Sequence, residues 1–273
     1  MCNGSIMDKL ISFSLPLMVS GILQLAFNAV DIIVVGRFSG SQALAAVGST
    51  TALINVFTNL FIGISLGANV LAARFYATAK DREMAETVHT SVTLALISGI
   101  MMAVIGVLLA KWALEIMGTP DDVIGQSALY MRIYFMGMPF FMLYNYGAAI
   151  LRAIGDTKRP LIFLIISGIA NAALNMILVI LFHMGVAGVA IGTIISQLIS
   201  CVLVLTCLYR SEGSYQLRFS KLKINGAYME QIFQVGVPAG IQSTVINLSN
   251  ALLQSSVNSF GSIAMAGYTA ANN

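Results

Sequence analysis

Asp31 is the one carboxylate in the apolar run Ser14 to Gly36, SLPLMVSGILQLAFNAVDIIVVG, a stretch long enough to cross a bilayer. A charged side chain at bilayer depth costs about 2.5 to 3.5 kcal/mol on insertion scales, and acids kept there usually serve ions or protons. Gln24, Asn28 and Asp31 stand four and then three residues apart, so a helix lines them up as one polar stripe opposite Leu, Ile, Val and Phe. A carboxylate in a cavity on that stripe could take up a proton or a small cation. The rival reading is structural: Asp31 lies near one end of its segment, from where it could reach lipid headgroups or pair with Arg37.

Other polar groups recur at helical spacing. Asn171 and Asn175 are one turn apart, as are Thr193 and Gln197, while Ser196 and Ser200 follow the same period. Thr51, Asn55 and Asn59 form a third set, and Asn247, Asn250, Gln254 and Asn258 a fourth without any acid. Hydrogen bonding between helices is the plainer use of such residues in a membrane. Nothing matches a phosphate-cradling P-loop, an HExxH metal site or a GxSxG nucleophile elbow, which argues against an enzyme and against transport driven by ATP hydrolysis in this chain. Cys2, Cys201 and Cys207 lack metal-ligand spacing and read as packing residues.

The elements that must carry these residues follow from composition. Of 273 residues 58% are hydrophobic and 9% charged, with a mean hydropathy of +0.88, far beyond what a water-soluble core needs. The expected fold class is an all-α integral membrane protein. Seven segments are long and apolar enough to span, approximately 11–36, 43–73, 87–110, 124–150, 160–182, 186–209 and 229–258. The first is too long for the apolar core of a signal peptide and belongs to the mature chain. Pro139 predicts a bend in the fourth. Glycine pairs at Gly63 and Gly67, Gly188 and Gly192, and Gly236 and Gly240 would allow close helix approach.

The connections sort the basic residues. Lys9, Arg74, Lys80, Arg82, Arg152, Lys158, Arg159, Arg210, Arg218, Lys221 and Lys223 fall on one side. Arg37 and Lys111 fall on the other, and Arg132 lies inside the fourth segment. Basic residues concentrate in cytoplasmic loops, which predicts a multi-pass protein of the cell (inner or plasma) membrane with a cytoplasmic N-terminus.

The seventh segment restarts the first. Pro16, Asn28, Ala29 and Phe38 align with Pro238, Asn250, Ala251 and Phe260, and after a one-residue gap Gly40 and Ser41 meet Gly261 and Ser262. With the N-terminus inside, the two segments run the same way, a parallel repeat about an axis near the membrane normal. The expected organisation is a six-helix N-terminal lobe over 1–210, a cytoplasmic linker over 211–228, and the first helix of an incomplete second lobe over 229–273. The chain then reads as a fragment that would not transport by itself.

Three motifs carry a family resemblance: SLP followed by FNAVDIIVVGRFSGSQALAAVG, LRAIGDTKRP after the fourth segment, and NAALN followed by GVAGVAIGTIISQ. Together they resemble the multidrug and toxic compound extrusion (MATE) transporters over essentially the whole chain. The resemblance implies twelve helices in two lobes around a cavity, and export of organic, often cationic, amphipathic compounds by antiport with H⁺ or Na⁺ through alternating access. It implies a coupling site of Asp31, Asn171, Asn175 and Thr193, with Gln24 as a neighbour; the same residues would hold Na⁺ if the protein is Na⁺-coupled. Some members carry a second acid where this chain has Asn175, which leaves the choice of ion open. No cofactor beyond the coupling ion is implied; the partners are small organic substrates and the bilayer, with no nucleic acid and a monomeric full-length protein. Two other readings are a flippase for a lipid-linked oligosaccharide or cell-wall precursor, which would want several Arg or Lys in its cavity, and a non-transporting receptor or assembly subunit.

Overall fold

The computed structural model describes residues 6–272, and within them the chain is almost entirely helical. The helices are α1 (Ile6–Phe38), α2 (Gly40–Ala77), α3 (Asp81–Ile116), α4 (Asp121–Met136), α5 (Met138–Ala153), α6 (Lys158–Met176), α7 (Gly185–Arg210), α8 (Gly226–Asn258) and α9 (Ser262–Asn272). A π-helical turn at Ile177–Leu181 extends α6, and a 3₁₀ turn at Phe219–Lys221 sits in the connector before α8. Short turns reverse the chain between most successive helices, whereas α4 runs on into α5 across Gly137 and a longer connector joins α7 to α8. The basic residues that sequence had grouped accordingly collect at one end of the bundle, called here the basic end.

Every predicted segment is helical, but among the described residues five helices are by themselves long and apolar enough to cross a membrane: α1, α2, α3, α6 with its π turn, and α7. The fourth predicted segment is two helices. Gly137 ends α4 with its N–H on Tyr134 O at 3.0 Å, and Pro139 follows in the first turn of α5, where its missing N–H costs nothing. The seventh, α8, is long enough but diluted by its Gln and Asn residues. Beyond it the chain turns at Gly261 and forms α9, so residues 229–273 hold more than one helix.

That turn reproduces the one after α1. Gly40 and Gly261 both adopt left-handed conformations, at φ +86° and +90°, which glycine enters without a steric penalty. Each follows a helix of 33 residues with one interior proline, Pro16 or Pro238.

Three contacts fix α8 to the first six predicted segments. Midway, Gly236 and Gly240 cross Gly63 and Gly67 of α2 backbone to backbone: a Cβ added at Gly236 would lie 2.6 Å from Ile64 Cα, and one at Gly240 2.5 Å from Leu60 O. At the far end Asn258 Nδ2 and Ser255 Oγ both donate to Met117 O, closing the C-terminus of α3. At the basic end, three residues of α3 hold the connector. His89 Nε2 accepts from Arg218 N at 3.2 Å, Thr90 Oγ1 accepts from Asn225 N at 3.2 Å, and Glu86 Oε2 accepts from Asn225 Nδ2 at 2.6 Å. Asn225 also caps α8 by accepting from Ala227 N. The polar residues of α8 therefore include anchors. Cys201 is buried and Cys207 half-buried, as packing residues should be; Cys2 lies outside the described residues.

Candidate functional site

Asp31 lies toward the C-terminal end of α1, facing α6. Asp31 meets there the two asparagines that α6 stacks one turn apart, because their near-helical spacing puts both on the face toward α1 and α7. Asn175 donates through Nδ2 to Asp31 Oδ1 and, at 3.3 Å, to Asn171 Oδ1. Asn171 Nδ2 reaches Thr193 Oγ1 on α7 at 3.5 Å, and that hydroxyl donates to Val189 O at 2.9 Å. Asn171 and Asn175 are buried; Asp31 and Thr193 are half-buried. A single polar chain thus ties three helices together around one carboxylate.

Among the described residues Asp31 makes no ion pair with Arg37. The ion pairs among the described residues are Arg82 with Glu86, Lys111 with Glu115 and Arg159 with Asp156, and Arg37 is exposed. Gln24 is not brought into the cluster. It shares the stripe but stands seven residues from Asp31, roughly 10 Å along the helix at 1.5 Å per residue, and its side chain is exposed. Asn28 is likewise exposed.

Glycine makes room for the amide. Asn175 Oδ1 is buried with no partner and lies over Gly192, where any Cβ would collide with it. Phe27 of α1 packs in the same way onto Gly168 of α6. Immediately after Asn175 the helix loosens into its π turn, a distortion often found at functional sites.

Sequence reasoning missed two neighbours. Tyr130 and Tyr134 of α4 stack with ring centroids 6.1 Å apart, within electrostatic reach of Asp31. Their four-residue spacing is visible in the sequence, but the packing of α4 against α2, α3 and α7 that buries them is not. A cavity of about 310 Å³ lies farther from the basic end, lined by Phe38, Ser39, Gln126, Val179 and His183 among others. Val179 is one turn past Asn175, and Ser39 Oγ and Gln126 Oε1 are buried there without partners.

Chemically, one carboxylate among amide and hydroxyl oxygens suits a proton or a monovalent cation. No group of three or more His, Cys, Asp or Glu that could hold a metal ion occurs among the described residues. The unpartnered Asn175 Oδ1 fits a cation ligand by its chemistry, and Na⁺ would be held by Asp31, the amide oxygens of Asn171 and Asn175, and Thr193 Oγ1.

A family model described as MatE matches residues 16–177. The "Probable multidrug resistance protein YoeA" of Bacillus subtilis (strain 168) is 34% identical over 269 residues, covering 95% of this chain and 58% of that protein. The "Probable multidrug resistance protein YpnP" of the same organism is 27% identical over 274 residues, covering 98% and 60%. A solved structure described as the inward-facing conformation of a multidrug resistance MATE family transporter of the MOP superfamily superposes with a TM-score of 0.84 at 21% identity, over 95% of this chain and 60% of that one. The last is a likeness of fold. The chain spans about three fifths of the length of the curated relatives it matches.

Proposed function

Because the chain belongs to the MatE family, we propose that it supplies the cation-coupling part of a secondary active efflux transporter, which exports organic amphipathic compounds in exchange for H⁺ or Na⁺. The observation that carries this reading is the Asp31 cluster: a membrane carboxylate with neutral partners, bound to α6 and not to a basic residue. The basic end faces the cytoplasm, by the bias of Lys and Arg.

Asp31 and Asn175 work as the switch. In the arrangement described, the carboxylate accepts from Asn175 Nδ2. A proton on Asp31 turns one acceptor into a donor, and Na⁺ puts positive charge where the amide N–H now points. Either change disfavours the present orientation and favours the amide oxygen facing Asp31 instead. Such a turn would release Oδ1 from its unpaired place over Gly192, give up the Asn175 bond to Asn171, and remake the tie between α1 and α6 in a different geometry. Helix α1 can respond because Pro16 interrupts its backbone hydrogen bonding and most of its side chains are exposed. Cation and substrate then shift the same two-state equilibrium, each by its difference in affinity between the states.

The test is dye movement in proteoliposomes holding the protein expressed from its complete gene, with a panel that includes ethidium and carboxyfluorescein. An imposed H⁺ or Na⁺ gradient is expected to drive at least one dye without ATP. If neither gradient moves any dye, the reading is wrong.

A further inference from the structure

A second polar feature lies away from the Asp31 cluster. At the seam where α8 crosses α2 lies a cleft of about 390 Å³ that reaches the last turn of α5. Phe13 and Leu17 of α1 and Ile62 and Leu66 of α2 give it an apolar wall, while Ser65, Asn69 and Ser243 add neutral polar groups. Its one charged lining residue is Arg152. Arg152 was grouped by sequence with the loop LRAIGDTKRP, but it belongs to the last turn of α5.

Among the described residues Arg152 has no acidic counterpart. Its Nε is buried and makes no hydrogen bond, and the ion pairs among the described residues do not include it. Asp156, the acid nearest in sequence, is taken by Arg159 at 3.2 Å. The C-terminal end of α5 accommodates a positive charge, but it supplies no acceptor for the buried Nε–H. A guanidinium offers parallel donors that fit a carboxylate or phosphate two-pronged, and partial removal from water strengthens that pairing. A cationic head in the same place would face a like charge with no carboxylate to offset it.

We propose that this cleft binds an amphiphile with a single carboxylate or phosphate head, held by Arg152, with its apolar body against Phe13, Leu17, Ile62 and Leu66. As a substrate site it rests on the transporter reading and adds an anionic class to the often cationic compounds that the resemblance implied. As a binding site it stands without transport, so the two fail separately.

The experiment is equilibrium binding to the purified chain in phosphatidylcholine nanodiscs, with empty discs as blank and two probes of equal tail, dodecanoate and dodecyltrimethylammonium. The wild type is expected to prefer dodecanoate by about tenfold or more, the scale of a hydrogen bond to a charged group. Arg152→Gln is expected to abolish the preference, Arg152→Lys to keep part of it, and Arg37→Gln, exposed near the opposite end of α1, to leave it unchanged. The lysine variant guards against a folding defect, because it preserves the charge and changes only the fork. Repeating the measurement with phosphatidylglycerol in the discs separates the sources: competition there identifies a lipid headgroup as the occupant, and no competition a soluble amphiphile. Equal affinity for the two probes, or an undiminished preference in Arg152→Gln, would overturn the proposal.

Discussion

Asp31→Asn is expected to cut cation-driven efflux by about tenfold or more, the scale of an ordinary coupling free energy between two sites. The substitution keeps the shape of the side chain and an oxygen for Asn175 to donate to. What it removes is the capacity to take a proton or to neutralise a cation. The fold should survive, because exchanging a half-buried charge for an amide relieves desolvation. The measurement is the initial rate of dye efflux under the driving gradient, normalised to protein in the membrane. A rate equal to the wild type would remove Asp31 from the coupling step, whatever else the family likeness still supports.

Gly236→Leu is expected to detach α8 from α2. Ordinary overpacking of a core costs about 1 to 3 kcal/mol because neighbouring side chains can shift. Here the obstacle is backbone, with Ile64 Cα 2.6 Å from where a Cβ would stand and the oxygens of Gly63 and Ile64 each at 3.0 Å. Neither helix can yield without opening the whole crossing, so the cost exceeds that range. The readout is limited trypsin cleavage in the connector, which carries Arg218, Lys221 and Lys223, followed by gel filtration in mild detergent. In the wild type the α8 fragment should remain with the rest after cleavage, whereas in Gly236→Leu it should separate. Co-elution in the variant would show that the contacts of Asn258 and the α3 latch suffice alone.

How far sequence led depended on whether a feature was local. Helix positions, the grouping of basic residues and the pairing of Asn171 with Asn175 all follow from periods of a few residues, and all are present in the fold. The repeat was legible for the same reason: Pro16 and Pro238 each precede a left-handed glycine, Gly40 or Gly261, by nearly the same interval. Gln24 shows the limit of that logic, because sharing a face with Asp31 does not bring a side chain two turns away into contact. The break at Gly137 was read as a bend because proline alone does not say whether the neighbouring backbone can fit. Gly99 of α3 makes the fit possible, packing against Pro139 from another helix. Arg152 looked like a loop cation because its cleft is made by α1, α2 and α8, none of which is near it in sequence. The facing of Gly63 and Gly67 onto Gly236 and Gly240 was likewise hidden, since glycine pairs are common in apolar helices and only tertiary placement selects the ones that meet.

The central claim is that the Asp31 carboxyl itself takes up the coupling cation and that Asn175 answers. Infrared difference spectroscopy tests this most directly, on the chain in nanodiscs switched between high and low pH and between high and low Na⁺, with Asp31→Asn for comparison. The account predicts a carboxyl band that changes with one of the two switches, a simultaneous shift of an asparagine amide band, and the loss of both in Asp31→Asn. Identical difference spectra from the two proteins would contradict it.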